Sequence, residues 1–377
     1  MNKRLSTWTK ARLFVGLLIL LGGTFALLSS CSSSSAYQHY VNRYLTAAEA
    51  AKAQPLPAHY GPSGFTNPYT DGIDKNAFDF FAMRWFGDDP WADQSQERNA
   101  IDAISIAASD FSPMHQHRAT WLGHATFIIE LAGVRIATDP IVSDRASPVS
   151  FAGPERLTAA PLPLSAWPQL DAIVISHNHY DHLDADTMRR LLELQPQLQV
   201  IVPLGLAPWL REQGYQDQQI VELDWWQQTQ VGSVTITATP SQHWSARSLG
   251  DRMQSLWASW YFSSSQKRVW FAGDTGYNPY QFNEIRERLG AVDLALVPIG
   301  AYQPRWFMQP QHTNPQEAVQ LHLDLAAQQS IAMHFGTYQL AAESLAETYA
   351  DFEAAKQAAG AAAEGAQRLP IGGQLIF

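Results

Sequence analysis

The chain has 377 residues, of which 46% are hydrophobic and 16% charged, a composition that excludes a disordered or collagen-like protein. Its formal net charge of −10 argues against a nucleic-acid partner, because an acidic surface repels phosphate. The only cysteine is Cys31, so an intrachain disulfide and a cysteine-rich zinc site are both excluded. A metal site must therefore use the 12 histidines and 35 acidic residues.

The first 31 residues have the pattern of a bacterial lipoprotein signal. Basic residues precede an apolar run at 13–28, and the run ends in Leu-Ser-Ser-Cys, which resembles a lipobox. We expect Cys31 to carry the lipid and residues 32–35 to act as a tether. The absence of aspartate after Cys31 predicts a lipid-anchored protein of the bacterial cell envelope, on the periplasmic face of the outer membrane. The alternative is an uncleaved anchor, because this run approaches the length of a short membrane span.

Residues 32–110 are interpreted as a tether and an N-terminal arm packed on the main domain, which spans 111–377. Strands are predicted at 120–122, 126–131, 134–138, 171–176, 199–203, 234–238, 256–262, 268–272, 294–299, 331–334 and 374–377. Helices are predicted at 184–194, 280–289, 315–327 and 342–358. Two runs of strands, each closing with helices, indicate two stacked sheets covered by helices.

A dense group of metal-binding side chains follows the short apolar strand at 171–176. Residues 177–182 read His-Asn-His-Tyr-Asp-His, and the spacing of two puts His177 and His179 on one side of an extended chain. Asp181 and His182 are adjacent and diverge as the chain turns, so one loop can serve two neighbouring metal ions. Imidazole and carboxylate ligands suit zinc. The alternative is a polar loop with surface histidines and a capping aspartate.

The motif at 177–182 resembles the metal-binding motif of the metallo-β-lactamase superfamily. Further stretches narrow the resemblance to the branch that contains the N-acyl-phosphatidylethanolamine-hydrolysing phospholipases D: 121–126, 138–141, 147–148, 153–156, 242–244, 271–277, 298–302 and 304–308. The resemblance covers about residues 65–340. It implies a four-layer α/β (α+β) fold, an αββα sandwich in which two stacked mixed β-sheets are flanked by helices, with 111–377 as the catalytic domain.

The resemblance also implies a ligand set for two zinc ions per chain. The first ion would be held by His177, His179 and His243, the second by Asp181, His182 and His334, and both by Asp274. The resemblance assigns catalytic roles to Asp181 and Asp274. Asp139 would orient a ligand histidine, or else form an Asx turn before Pro140. His312 would contact the phosphate or leaving group as a third catalytic residue, or else lie on the surface. His124 falls in a family-like stretch without an assigned role, and His322 is expected to be structural.

The function implied is a zinc-dependent phosphodiesterase of phospholipase D type that cleaves membrane phospholipid through a hydroxide shared by two zinc ions. Residues 306–308 could form an apolar approach for such a lipid. One alternative is a lactonase or β-lactamase-type hydrolase of esters or amides. Another is a non-catalytic lipid-binding envelope lipoprotein. The sequence makes no prediction of the oligomeric state.

Replacing Cys31 tests the lipoprotein hypothesis. Because lipid attachment needs the thiol, Cys31→Ser should leave an unprocessed precursor without incorporated fatty acid. Metabolic labelling with a fatty acid, followed by gel analysis, measures this directly, and Ser34→Ala in the tether is the matched control. Equal label in Cys31→Ser and wild type would reject the lipobox.

Overall fold

A computed structural model of the chain describes residues 58–61, 64–70, 73, 79, 82–84, 87, 90–115, 117–248 and 250–377. The proposed signal at 1–31, with Cys31, lies outside the described residues, as does the tether at 32–35. Of the arm at 32–110, the structure describes the ranges from 58 onward.

The described strands occur throughout the chain. A short antiparallel pair is formed by β1 (Tyr60–Gly61) and β2 (Gly64–Phe65). The next six strands along the chain are β3 (His117–Gly123), β4 (Thr126–Leu131), β5 (Val134–Thr138), β6 (Ala172–Val174), β7 (Gln199–Pro203) and β8 (Ile220–Leu223). They are followed by β9 (Gln228–Val231), β10 (Val234–Thr239), β11 (Ser259–Ser263), β12 (Arg268–Phe271), β13 (Leu294–Pro298), β14 (Gln329–Met333), β15 (Ala366–Gln367) and β16 (Gln374–Ile376).

Helices connect and cover these strands. The described α-helices are α1 (Ala185–Leu194), α2 (Ala207–Glu212), α3 (Gln281–Leu289), α4 (Arg305–Met308), α5 (Pro315–Asp324) and α6 (Leu345–Ala359). Short 3-10 helices lie at Gln94–Ala100, Ala108–Phe111, Leu164–Ala166, Asp217–Gln219 and Gly360–Ala363.

The strands form two sheets of seven. The first has the order β16-β3-β4-β5-β6-β7-β8 and the second the order β15-β14-β13-β12-β11-β10-β9. Each sheet has an antiparallel part and a parallel part. The first parallel pair is β5–β6 in the first sheet and β12–β13 in the second. Both sheets are therefore mixed, and the predicted αββα sandwich is confirmed.

The alternation of side chains along β4 shows how the first sheet divides the core. Phe127 and Ile129 face the second sheet, whereas Ile128 between them faces helix α1, as the two-residue period of a strand requires. Met188 and Leu191 of α1 are buried on that outer face. Asp184 begins the helix by accepting a hydrogen bond from the Thr187 amide, as its position at the start of the predicted helix indicated.

The second sheet is covered by helices α3, α5 and α6, which contribute Phe282, Leu321 and Phe352 to the core. Buried tryptophans connect the layers. Trp260 of β11 is fully buried, and its indole nitrogen donates to the Ile175 carbonyl in the other sheet, at 3.0 Å. Because Ile175 lies two residues before His177, this bond ties the second sheet to the predicted ligand loop.

Most predicted strands and helices are confirmed, but several bounds differ. The strand predicted at 256–262 begins only at Ser259, because the Leu256 and Ala258 amides donate to the Leu204 and Ser176 carbonyls of the other sheet. The helix predicted at 315–327 ends at Asp324, before Ala326 takes a positive φ of 47°. Strands β1, β2, β8, β9 and β15 and helices α2 and α4 were not predicted.

The described parts of the arm contact the sheets. Phe65 is buried in the main core, and its amide donates to the Met253 carbonyl. His59 Nε2 lies 2.7 Å from a carboxylate oxygen of Asp224. Within the part of the chain that is described, no helix combines the length and apolar character needed to cross a bilayer.

The close approach of two loops at Gly273 yields a test of this packing. Gly273 has φ +57°, and a Cβ there would lie 2.4 Å from Ser176 Cβ, whereas Gly133 has φ +83° with no atom within 4 Å of its Cβ position. Gly133→Ala should lower the free energy of unfolding by about 1–2 kcal/mol through backbone strain alone. Gly273→Ala should lose about 1–3 kcal/mol more through overpacking. Urea denaturation measures both, and equal losses would contradict the described contact.

Candidate metal centre

The predicted ligands lie on loops at one end of the sandwich, where strands of both sheets finish. In the first sheet, Asp139 directly follows β5 and loop 177–182 follows β6. In the second sheet, Asp274 follows β12 and His334 follows β14. Parallel neighbours end at the same edge of a sheet, so loops distant in sequence meet here.

Three imidazole nitrogens converge at one place in this end of the sandwich. Nδ1 of His179 lies 2.8 Å from Nε2 of His177 and 3.2 Å from Nε2 of His243. His177 and His243 are fully buried, and His179 is half-buried.

Hydrogen bonds on the far side of two of these rings set their tautomers. His243 Nδ1 lies 2.9 Å from the Gln311 carbonyl, which can only accept, so Nδ1 carries the proton. Ser176 Oγ donates to Asp139 at 2.5 Å and can therefore accept from His177 Nδ1 at 2.9 Å. In both residues the lone pair of Nε2 thus faces the centre, which is how metal-binding histidines are oriented.

The charge state of this first set fits a bound cation. Burial lowers the pKa of the His243 imidazole to about 4, although the charge of Asp274 opposes the shift. Burial likewise holds the pKa of His177 and His179 well below the ordinary value. Three neutral imidazoles that converge at these distances, two of them with the Nε2 lone pair facing the centre, can share one bound cation. The donors therefore fit a metal ion.

A second set combines carboxylates with imidazoles. Nε2 of His182 and Nε2 of His334 lie 3.2 Å apart. Oδ2 of Asp181 lies 3.3 Å from the first of these nitrogens and 3.5 Å from the second. Asp139 accepts from the other nitrogen of His182, Nδ1, at 2.7 Å, and so turns Nε2 toward the set. That is the orienting contact expected for Asp139.

Asp274 lies between the two sets. Its Oδ2 is 3.3 Å from His182 Nε2 and 3.7 Å from His243 Nε2, and its Oδ1 is 3.1 Å from His334 Nε2. This is the position expected of a carboxylate shared by two ions.

The electrostatics of the second set also favour a cation. Burial would raise the pKa of Asp274, but His182, His334 and His312 outweigh it and hold the pKa well below its usual range. Burial opposes protonation of His334, yet Asp274 and Asp181 raise its pKa to about 9. The carboxylates therefore stabilise positive charge at this place, where a metal ion would supply it.

Two further histidines adjoin these sets. His312 Nδ1 lies 3.8 Å from Asp274 Oδ2, and its ring is 5.1 Å from that of His243, so it is buried beside the centre and not on the surface. His124 Nε2 lies 2.9 Å from Asp181 Oδ2, a contact that sequence reasoning missed although the stretch 121–126 had been singled out. His322 hydrogen bonds to Ser330 away from the centre and is structural, as predicted.

Arg247 is another residue that sequence reasoning missed. Its Nη1 donates to the carbonyls of Asn178 at 2.8 Å and Leu183 at 2.6 Å, which flank residues 179–182. The guanidinium packs over the Tyr180 ring at 4.1 Å. One cation thereby holds the chain on both sides of three predicted ligands. Nothing in the sequence pattern marks a single arginine for such a contact.

The structure brings all seven predicted ligands together, with Asp139 and His312 beside them. The predicted apolar approach at 306–308 is wrong for two of its three residues. Phe307 and Met308 are buried in a cluster with Met83, and only Trp306, at 61% exposed, faces solvent. On the short helix α4, the side chains of Phe307 and Met308 both point inward.

Comparison with known proteins identifies the family. Residues 134–335 match the family described as "Beta-lactamase superfamily domain". The chain belongs to this superfamily. It is a hydrolase with the metallo-β-lactamase fold.

Two curated relatives and one solved structure show the extent of the similarity. The chain is 44% identical over 249 residues to N-acyl-phosphatidylethanolamine-hydrolyzing phospholipase D 1 of Caenorhabditis elegans, covering 64% of this chain and 70% of that one. It is 38% identical over 234 residues to the mitochondrial N-acyl-phosphatidylethanolamine-hydrolyzing phospholipase D of Saccharomyces cerevisiae, covering 60% of this chain but only 49% of the yeast protein. An isothiocyanate hydrolase from Delia radicum gut bacteria shares the fold, with a TM-score of 0.54 and 20% identity over 69% of this chain and 99% of that one.

Removing the shared carboxylate tests the centre. Asp274→Ala takes a ligand from both sets, so the bound metal should fall to less than about half of the wild-type content. Asp139→Asn should weaken metal binding by about 10–100-fold, because Asp139 only orients His182. Elemental analysis after dialysis measures both variants. Asp186→Asn on the exposed face of α1 is the control, and wild-type protein that holds no metal would refute the centre.

Proposed function

We propose that this chain is a zinc-dependent phosphodiesterase of phospholipase D type that acts on N-acyl-phosphatidylethanolamine-like phospholipids. The observation that carries the proposal is the 44% identity to a nematode enzyme named for that reaction, over 64% of this chain. Both ligand sets lie within the family match at 134–335. The yeast relative is named for the same reaction.

The proposal assigns a role to each group of residues. His177, His179 and His243 would hold one zinc ion, Asp181, His182 and His334 the other, and Asp274 both. Bound there, the two ions would lower the pKa of a water molecule and stabilise charge that develops on phosphate oxygens. The only cysteine, Cys31, lies more than a hundred residues before loop 177–182, so no thiol nucleophile belongs to the motif.

His312 has the position of a substrate contact in this proposal. It lies on the His243 side of Asp274, and its Nδ1 has no hydrogen-bond partner among the described residues although it is buried. An imidazole with a free nitrogen beside the shared carboxylate is placed to hydrogen bond a phosphate oxygen or the leaving group. Asp139, by contrast, acts through His182 and touches no substrate.

The membrane setting is part of the same proposal. Lipidation at Cys31 would anchor the protein at the periplasmic face of the outer membrane, beside its phospholipid substrate. The exposed Trp306 indole would be available to contact a lipid, since aromatic rings favour the membrane interface. The net charge of −10 gives no electrostatic support for a nucleic-acid substrate.

Turnover in heavy-oxygen water tests the reaction. If water attacks phosphorus directly, one solvent oxygen enters phosphatidic acid and the N-acylethanolamine leaves unlabelled. Added ethanol should yield little phosphatidylethanol, because transfer to an alcohol generally needs a covalent phosphoryl-enzyme. Mass spectrometry of vesicle lipids containing N-acyl-phosphatidylethanolamine reads out all of these products, with Asp274→Ala as the inactive variant and Asp186→Asn as the active control.

Two results would contradict the proposal. Abundant phosphatidylethanol would exclude direct attack by water. Label confined to a released fatty acid would show carboxyl-ester hydrolysis, and the ester-hydrolase alternative would replace the phosphodiesterase.

A further inference from the structure

His124 holds an unusual backbone conformation beside the metal centre. It lies in the turn between β3 and β4 with a φ of +50°, although it is not a glycine. Such a conformation costs about 1–2 kcal/mol for an L-residue. Of the non-glycine residues that share it among those described, Asp139 and His334 also belong to the centre. Strain that is kept at one site indicates that the surrounding contacts require it.

Three hydrogen bonds fix the main chain of His124. Its amide donates to Thr337 Oγ1 at 2.7 Å. Its carbonyl accepts from the Trp121 indole at 2.9 Å and from the His334 amide at 3.1 Å. The backbone of one predicted ligand, His334, is therefore tied directly to His124.

The side chain of His124 reaches a second predicted ligand. Nε2 lies 2.9 Å from Asp181 Oδ2, and the ring lies 4.1 Å from the His334 ring between centroids. The residue has no solvent-exposed surface. His124 thus contacts two members of the second set, Asp181 through its side chain and His334 through both its backbone and its ring.

The hydrogen-bonding environment of His124 shows whether its imidazole binds a metal ion or donates a hydrogen bond to Asp181. Nδ1 of His124 is buried without a partner among the described residues, so a proton there would be left unsatisfied. Nε2 faces a carboxylate oxygen, which accepts a proton readily. The neutral ring therefore carries its proton on Nε2, and a protonated nitrogen cannot bind a metal ion.

We propose that His124 is a positioning residue of the metal centre, which donates from Nε2 to Asp181 and holds the His334 backbone through its carbonyl. The inference rests on the metal centre of the proposed function but adds a residue that none of the ligand sets includes. The hydrogen bond holds the Asp181 carboxylate where its Oδ2 faces His182 and His334. Such outer contacts typically change metal affinity by about 10–100-fold.

Two substitutions separate the side-chain contact from the backbone strain. His124→Gln keeps an N–H donor at about the distance of Nε2 from the backbone. His124→Asn has a shorter side chain that falls short of Asp181, and asparagine tolerates positive φ better than histidine does. A loss of function in the asparagine variant therefore cannot come from added backbone strain.

Zinc affinity by chelator competition, with zinc content after dialysis, tests the proposal without any lipid substrate. We expect two ions in His124→Gln with an affinity close to wild type, and a 10–100-fold weaker second ion in His124→Asn. The cobalt-substituted protein should show the same order in its visible spectrum. His322→Asn is the matched control, because His322 is also buried but bonds to Ser330 and the Ala362 carbonyl.

The outcomes separate this inference from the proposed function. Wild-type affinity in His124→Asn would refute the positioning role and leave the metal centre intact. If His124→Gln loses one ion to the same extent as His124→Asn, the imidazole itself is a ligand. That result would also overturn the inference. Wild-type protein without zinc would refute the metal centre and the inference together.

Discussion

Two buried carboxylates are stable as anions only when positive charge lies among them, and the structure at this end of the molecule depends on that constraint. Asp274 is 3% exposed and Asp181 9%, and burial without compensation would drive both toward their neutral forms. The neighbouring imidazoles supply the compensation as protons, and metal ions would supply it more strongly. Each side chain of the centre therefore needs a fixed orientation, because the charges act over only a few ångströms.

The fold provides that orientation by tying loops of different sheets together. Trp260 hydrogen bonds across the sandwich to Ile175, Gly273 packs against Ser176, and Arg247 holds the carbonyls on either side of residues 179–182. Asp139 connects Ser176 to His182. Trp260, Gly273, Arg247 and Asp139 lie outside the predicted ligand sets, yet together they restrict the loop that carries His179, Asp181 and His182.

The features that the sequence predicts are those that depend on residues close together in the chain. Apolar runs such as 199–203 and the capping aspartate of α1 depend on neighbours in the chain, and both were predicted with their observed bounds or start. Strand β9 reads Gln-Thr-Gln-Val and has no apolar periodicity of its own, so only its pairing with β10 makes it a strand. The motif at 177–182 identified four of the seven predicted ligands, and the resemblance placed His243, Asp274 and His334. The contacts of His124 and Arg247 depend on loops brought together by folding, which no local pattern encodes.

The pairing order of the two sheets bears on how the fold evolved. Strands β3 to β8 pair with one another in the same manner as β10 to β15, and β16 and β9 fill the equivalent antiparallel edge positions. In this correspondence Asp139 and Asp274 follow equivalent strands, β5 and β12, and His124 and His243 follow β3 and β10. A duplicated ancestral half would produce this arrangement. The centre would then have arisen at the junction of two copies, one keeping its aspartate and histidine as ligands while those of the other became their supports.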